Sequence, residues 1–462
     1  MGLDYIIRGG TLVTASESFP ADIGVADGKI AAIGGDLARG EREIDASGKL
    51  VVPGAVDVHT HFQHYVEYIG STNADDWESG TRAAAVGGTT TIVNFAFQEK
   101  GKSLRGAVEH ELENAERQAH IDYGIHVTPT DLSVQGVLDE LPVLADEGFA
   151  SVKIFTAVAL YALNDHDVLR VLRAARDAGL LVNVHAEDDA LIGCLTDQLL
   201  SAGETGVENL PRARPPATEA IATHRAAAYA HALETPIYFV HLSSREALDE
   251  VRRARSEGAE VYVETRPVYL YLDNEKYSLP NREGNKYVCL PPLRSKENQD
   301  ALWDGIRNGE INTYATDHAP WMAAQKTDPA RPFPQIPAGV ANVQTSMGML
   351  FAEGVTKGRI SVNQFVAVSS TNPAKLFGMW PRKGTLAVGA DADIVLIDPQ
   401  LEVEISAEAA ESKADYEPYD GFRCVGWPVL TMSRGDVIAE NGEFRGKPGR
   451  GELLRRARYQ PL

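Results

Sequence analysis

A closed (β/α)8 (TIM) barrel carrying a small β-sandwich built from both chain ends is the architecture the sequence predicts. Eight apolar, strand-like runs recur after residue 54, stretches of helical periodicity separate them, and short β-type pieces occupy both ends of the chain. Strands alternating with helices call for a parallel sheet. Eight such units over this span close that sheet into a barrel, with an open doubly wound sheet as the structural alternative.

Residues 1–53 break into short alternating pieces, "YIIRGGTLVT", "DIGVADGKIAAIG" and "GKLVV", joined by Gly and Asp turns, and read as the first part of the sandwich. From 54 to 382 the eight runs are "GAVDVH", "TTTIVNFAF", "IDYGIHVTP", "FASVKIF", "LLVNVHAE", "PIYFVHL", "AEVYVET" and "INTYATD". The clearest helices are "DVLRVLRAARDAG" before the fifth run and "SREALDEVRRARSEGAE" before the seventh. Residues 383–462 return to β pieces. "WPVLTMSRGDVIAENGEF" reads as strand, Gly-Asp turn and strand. The basic tail "RGKPGRGELLRRARYQPL" reads either as an extended arm against a neighbouring subunit or as a solvated end.

Composition narrows the function classes. The 462 residues are 44% hydrophobic and 24% charged, an ordinary globular mixture. A formal charge of -21 repels a nucleic-acid backbone and an anionic membrane surface, so neither is expected as a partner. Cys194, Cys289 and Cys424 lie far apart without a CxxC pair, which fits a reducing cytoplasm rather than a disulfide framework. The start "MGLDYIIRGG" has an acid and an arginine where a signal peptide is apolar, and no run reaches membrane-spanning length.

Chemistry in such a barrel sits at the carboxyl ends of the strands. The first run ends in His59 and His61, which share a face because side chains two apart in a strand point the same way. The fifth ends in His185, the sixth in His241, and the eighth in Asp317 followed by His318. Each alone has a bland account: a satisfied core histidine, a loop anchor, a cap. Together they predict a metal site on one rim. His64, His110, His120, His126 and His231 read as structural or surface residues, and His318 as a support for the ligands.

Lys153 in "FASVKIF" places an ammonium in an apolar strand, which costs several kcal/mol unless it is paired or neutralised. A salt bridge to a neighbouring acid is one resolution. Conversion of the neutral amine to a carbamate, an anionic ligand able to bridge two metals, is the other, and the pattern leaves both open.

These residues resemble the amidohydrolase superfamily, and within it the hydantoinase and dihydropyrimidinase branch. The resemblance runs over essentially the whole chain, through "PGAVDVHTHF", "DDWESGTRAAAVGGTTTIVNF", "SVKIF", "VNVHAED", "YFVHLSS", "VETRPVYL", "YVCLPPLR" and "ATDHAP" in the family's order. It implies two divalent ions, usually zinc. His59, His61 and Asp317 would match the ligands of one, His185 and His241 those of the other, and Lys153 the bridging N6-carboxylysine. It also implies hydrolysis of a cyclic amide or imide by a metal-bridging hydroxide, Asp317 acting as general base and then acid, and assembly into tetramers or dimers.

Three positions depart from the family. Its hydantoinases usually carry a tyrosine five residues after the bridging lysine, whose hydroxyl helps stabilise the developing oxyanion; Val158 stands there instead. Tyr161, in the same "TAVALYALND" loop, reaches the site if that loop is rearranged. The family's "SPPLR" is "LPPLR" with Leu290, and its "IPNG" is "IPAG" with Ala338. These changes put the substrate in doubt rather than the metal. Two alternatives are another amidohydrolase activity, such as allantoinase-like ureide opening or linear amide and N-carbamoyl cleavage, and a non-catalytic scaffold like the collapsin-response proteins. "HTHFQHYVEYIG" lacks the arginine usual in allantoinases, and the intact ligand set weighs against a scaffold.

Overall fold

The computed structural model describes residues 2–35, 37, 39–158 and 160–462. All eight predicted runs are strands of one parallel sheet: β1 (Ala55–Thr60), β2 (Thr89–Phe97), β3 (Asp122–Thr128), β4 (Ser151–Phe155), β5 (Leu181–His185), β6 (Ile237–Phe239), β7 (Val261–Thr265) and β8 (Thr313–Tyr314), neighbours in that order. Their residues are almost all buried, as the near-continuous apolar runs require when helices cover one face and the barrel interior fills the other. The two clear helical patterns are Asp165–Ala178 and Arg245–Ser256. Asn164 and Ser244 cap their first turns through the side chain, and Gly179 ends the former in the left-handed conformation, φ 68°.

The sheet is nearly closed. β8 is only two residues long, and side chains and a single bridge span the seam to β1. The Asp57 carboxylate accepts from Thr316 N and Thr316 Oγ1 at 3.1 and 2.6 Å, Thr60 and His318 form a parallel bridge, and His61 N donates to His318 O at 2.9 Å. His59, His61 and Asp317 therefore converge because the seam brings the ends of the first and last strands side by side.

Both chain ends enter the flanking sheets. Lys29–Gly34, Asp22–Ala26, Tyr5–Arg8 and Arg42–Asp45 form a four-stranded sheet. A seven-stranded sheet runs Glu443–Phe444, Asp436–Glu440, Arg423–Ser433, Ile394–Glu404, Leu50–Pro53, Thr11–Val13, Ser18–Pro20. Ile7, Leu12, Ile23, Val25, Ile394 and Met432 form one buried cluster drawn from the two sheets. Gly54 makes the passage from Leu50–Pro53 into β1, and a Cβ there would lie 2.2 Å from Thr90 Oγ1, so only glycine allows the approach.

Two expectations change. The hairpin after Arg423–Ser433 turns on Arg434-Gly435, both at positive φ (43° and 78°), and Asp436 already belongs to the next strand. A two-residue turn of this kind needs φ above zero at both central positions, which shifts the reversal one residue toward the amino end. The tail is not merely a solvated end, because part of it packs on the chain's own barrel. Glu452 O accepts from Tyr123 N, Leu454 N donates to Tyr123 O, Arg456 N to Gly148 O and Ala457 N to Gly378 O. Leu454 and Arg456 are buried against the amino-terminal side of the chain's own barrel. There the Arg456 guanidinium donates to Ile125 O and Ser151 Oγ, and its burial lowers its pKa to about 9.

Candidate metal centre

All ten predicted site residues, His59, His61, Lys153, Val158, Tyr161, His185, His241, Leu290, Asp317 and Ala338, line one cavity of about 120 Å³ at the carboxyl ends of the strands.

His59 Nε2 and His61 Nε2 stand 3.3 and 3.1 Å from Asp317 Oδ1, and the ligating atoms of all three lie within 4.8 Å of one another. His59 Nδ1 faces Glu264 Oε1 at 2.7 Å, so its proton sits on that side and Nε2 presents a lone pair. Nε2 is buried and has no hydrogen-bond partner, the state of a donor atom awaiting a cation. His185 Nδ1 and His241 Nε2 face each other at 2.9 Å, and His185 Nε2 meets Glu187 Oε2 at 2.9 Å. This second pair lies within hydrogen-bond distance of itself, and the donor set as a whole, four imidazoles and a carboxylate, suits a divalent ion such as zinc.

The backbone is bent to make this arrangement. His241 and Asp317 adopt φ 41° and 50°, conformations that non-glycine residues avoid and that persist where the surroundings over-determine them. His241 N donates to Glu264 Oε1 at 2.8 Å, and the buried Arg266 guanidinium donates to Asp317 Oδ2.

Burial sets the charges. It drives His59, His61 and His241 well below the usual imidazole range, so these rings are neutral donors. Burial alone would raise Glu187, but Arg214 and His185 outweigh it and hold that carboxylate at about 2. Lys153 is almost fully buried beside the rings of Phe95 and Phe155 and, among the described residues, forms no ion pair. Burial pulls its amine down to about 7 against the opposing pull of Glu264, which burial lifts to about 8. Glu264 acts on Lys153 through its field without forming an ion pair among the described residues, and the amine is accessible in neutral form near physiological pH.

Sequence reasoning missed the residues that act through these. Glu264, next to last in "VYVET", is a buried acid in an apolar strand, the same signal that singled out Lys153. Glu187 and Arg266 follow strand ends by two residues and one residue, and carried no signal of their own. The His318 ring is bonded away from the ligand candidates, its Nε2 meeting Asp75 Oδ2 at 2.8 Å and its Nδ1 accepting from Asn342 N and Val343 N, while its backbone O accepts from His61 N. His126 is structural, bonded to Ser151 Oγ and Val58 O. His64, read as structural, instead lines the cavity.

Residues 50–438 match the amidohydrolase family. The chain belongs to that family. Among its amidohydrolase relatives is the D-hydantoinase of Geobacillus stearothermophilus, 42% identical over 99% of this chain and 97% of the relative. The dihydropyrimidinase from Brevibacillus agri NCHU1002 superposes with a TM-score of 0.96 at 41% identity, covering 98% of this chain and 99% of that one. The L-hydantoinase from Arthrobacter aurescens gives 0.90 at 31% identity, with the same coverage. This amidohydrolase fold thus accompanies hydantoinases named for either hand.

Proposed function

We propose that this chain is a metal-dependent hydrolase that opens a cyclic amide or imide ring of the hydantoin or dihydropyrimidine kind. The convergence of four histidines, a lysine and an aspartate in one cavity carries the reading, and the activities for which its full-length relatives are named support it.

His59, His61 and Asp317 would hold one divalent ion, and His185 and His241 a second. Lys153 would join them as N6-carboxylysine: its neutral amine adds carbon dioxide and loses a proton, giving a bridging carbamate. Zinc ions bound here would act as Lewis acids, polarising the ring carbonyl and easing the ionisation of water. Asp317 takes the proton of the attacking water and delivers it to the ring nitrogen as the C–N bond breaks, leaving an open chain with a new carboxylate. Arg266 keeps the second oxygen of Asp317 engaged, so the first faces the reaction. Glu264 and Glu187 fix the rings of His59 and His185. The three unpaired cysteines fit a cytoplasmic setting, and the family resemblance supports assembly into dimers or tetramers.

The test is a panel of cyclic ureides, imides and lactams offered to the zinc-loaded protein, with loss of ring absorbance followed and linear N-carbamoyl compounds as comparison. Ring opening with one carboxylate released per ring is expected. A flat response at full metal occupancy would overturn the reading.

A further inference from the structure

Five residues of the cavity wall, Leu290, Ala319, Trp321, Ala338 and Gly339, come from three segments that lie outside the barrel strands. Backbone of this kind has no strand ladder to fix it, so its polar groups must find other partners.

Lys326 supplies them. It ends the short helix Ala323–Lys326, is fully buried, and donates through Nζ to Lys286 O, Val288 O and Gly339 O at 3.0, 2.9 and 2.5 Å. Its own carbonyl accepts from Asn285 Nδ2 at 3.0 Å, and Gly339 N donates to Val288 O at 2.9 Å, so the three segments meet around one amine. Trp321 Nε1 adds a bond to Ala338 O at 2.9 Å. Leu290 and Ala338 thus stand two residues and one residue away from carbonyls that Lys326 holds.

Burial lowers the Lys326 amine to about 7. Three carbonyl acceptors favour the ammonium, which has a hydrogen for each, whereas a neutral amine would turn its lone pair on one of them. A buried charge is a costly fastener, and among the described residues this one forms no ion pair. All of its hydrogens go to the segments that build the wall.

We propose that Lys326 is a positioning residue for ring opening: by holding the main chain at Val288 and Gly339 it fixes the wall of Leu290, Ala338 and Gly339 against which the ring lies, and so sets the ring size the cavity accepts. A ring one methylene too small leaves a gap against a wall that cannot move, and one too large does not seat. The wall touches the ring alike before and during the reaction, so loosening it shows in KM rather than in kcat. The proposal rests on the ring-opening reading above.

Zinc-loaded wild type and Lys326→Met are compared on hydantoin and dihydrouracil, which differ by one ring methylene. A crystal structure of zinc-loaded Asp317→Asn with intact dihydrouracil locates the ring. The wild type should separate the two rings by at least about tenfold in kcat/KM. Lys326→Met should bring that ratio close to one and raise KM for the preferred ring about tenfold, with kcat and zinc content unchanged. The ring should rest against Leu290 and Ala338. A wild type indifferent to ring size, an unchanged ratio in folded Lys326→Met, a fall in kcat alone, or a ring resting elsewhere in the cavity would each overturn the proposal. The last of these decides even where Lys326→Met does not fold. A zinc-loaded wild type that opens neither ring refutes the ring-opening reading instead, and the position of the bound ring still reports on the wall.

Discussion

Glu264 shows how much of the centre depends on a residue that would touch no metal. One carboxylate oxygen receives both His59 Nδ1 and the backbone N of His241, tying the histidines of two separate ligand groups to a single side chain. Glu264→Gln keeps the shape but exchanges the carboxyl that both groups face for an amide, so zinc affinity should fall about ten- to a hundredfold, measured by chelator competition. Asp317→Asn should abolish ring opening, since an amide cannot take the proton from water; progress curves at matched metal content check this. The ligand candidates were legible together, as four histidines and an aspartate gathered at the ends of apolar runs and a lysine inside one, although each alone also had a structural account. Glu187 and Arg266 were not, because their position is explained only by what lies opposite them in space.

At the scale of elements, all eight barrel runs and the two clearest helices were readable from periodicity, which local sequence carries directly. The docking of the tail was not: Leu453 bridges to Tyr123, a contact between distant parts of the chain with no local trace. Its basic composition pointed outward, whereas Arg456 lies buried and bonded to a carbonyl and a hydroxyl of the barrel. A chain ending at Gly449 should lose at least about 2 kcal/mol from the burial of Leu454 alone, together with the capping of Tyr123. Scanning calorimetry should show an earlier onset of unfolding.

Over the whole molecule, barrel and sandwich are joined by a buried ion cluster. Lys383 Nζ lies 2.6, 3.0 and 2.8 Å from carboxylate oxygens of Asp122, Asp391 and Asp393. Asp122 opens β3, and the other two precede the sandwich strand Ile394–Glu404. Lys383→Met leaves Asp393 without its cation, while Asp391 keeps Lys29 and Arg382 and Asp122 keeps Arg434, and should cost about 3 kcal/mol, read from denaturant curves. Stability should also drift with pH through Glu111, which burial raises to about 8 despite hydrogen bonds from Trp77 and Asn94. Its contribution is complete below the ordinary carboxylate pKa of 4.5 and is lost as pH climbs through 8. Glu111→Gln should therefore gain on the wild type at about pH 9 and lose that advantage at about pH 5, by thermal melts.

The seven-stranded sheet seats Leu50–Pro53 between Thr11–Val13 and Ile394–Glu404. On a ribosome the first two emerge early and the third only after the entire barrel has been translated. For that interval Leu50–Pro53 offers a bare, apolar edge to any other nascent strand. Translation speed and chaperone supply, rather than the strength of the finished core, will govern the yield of this protein in a foreign host.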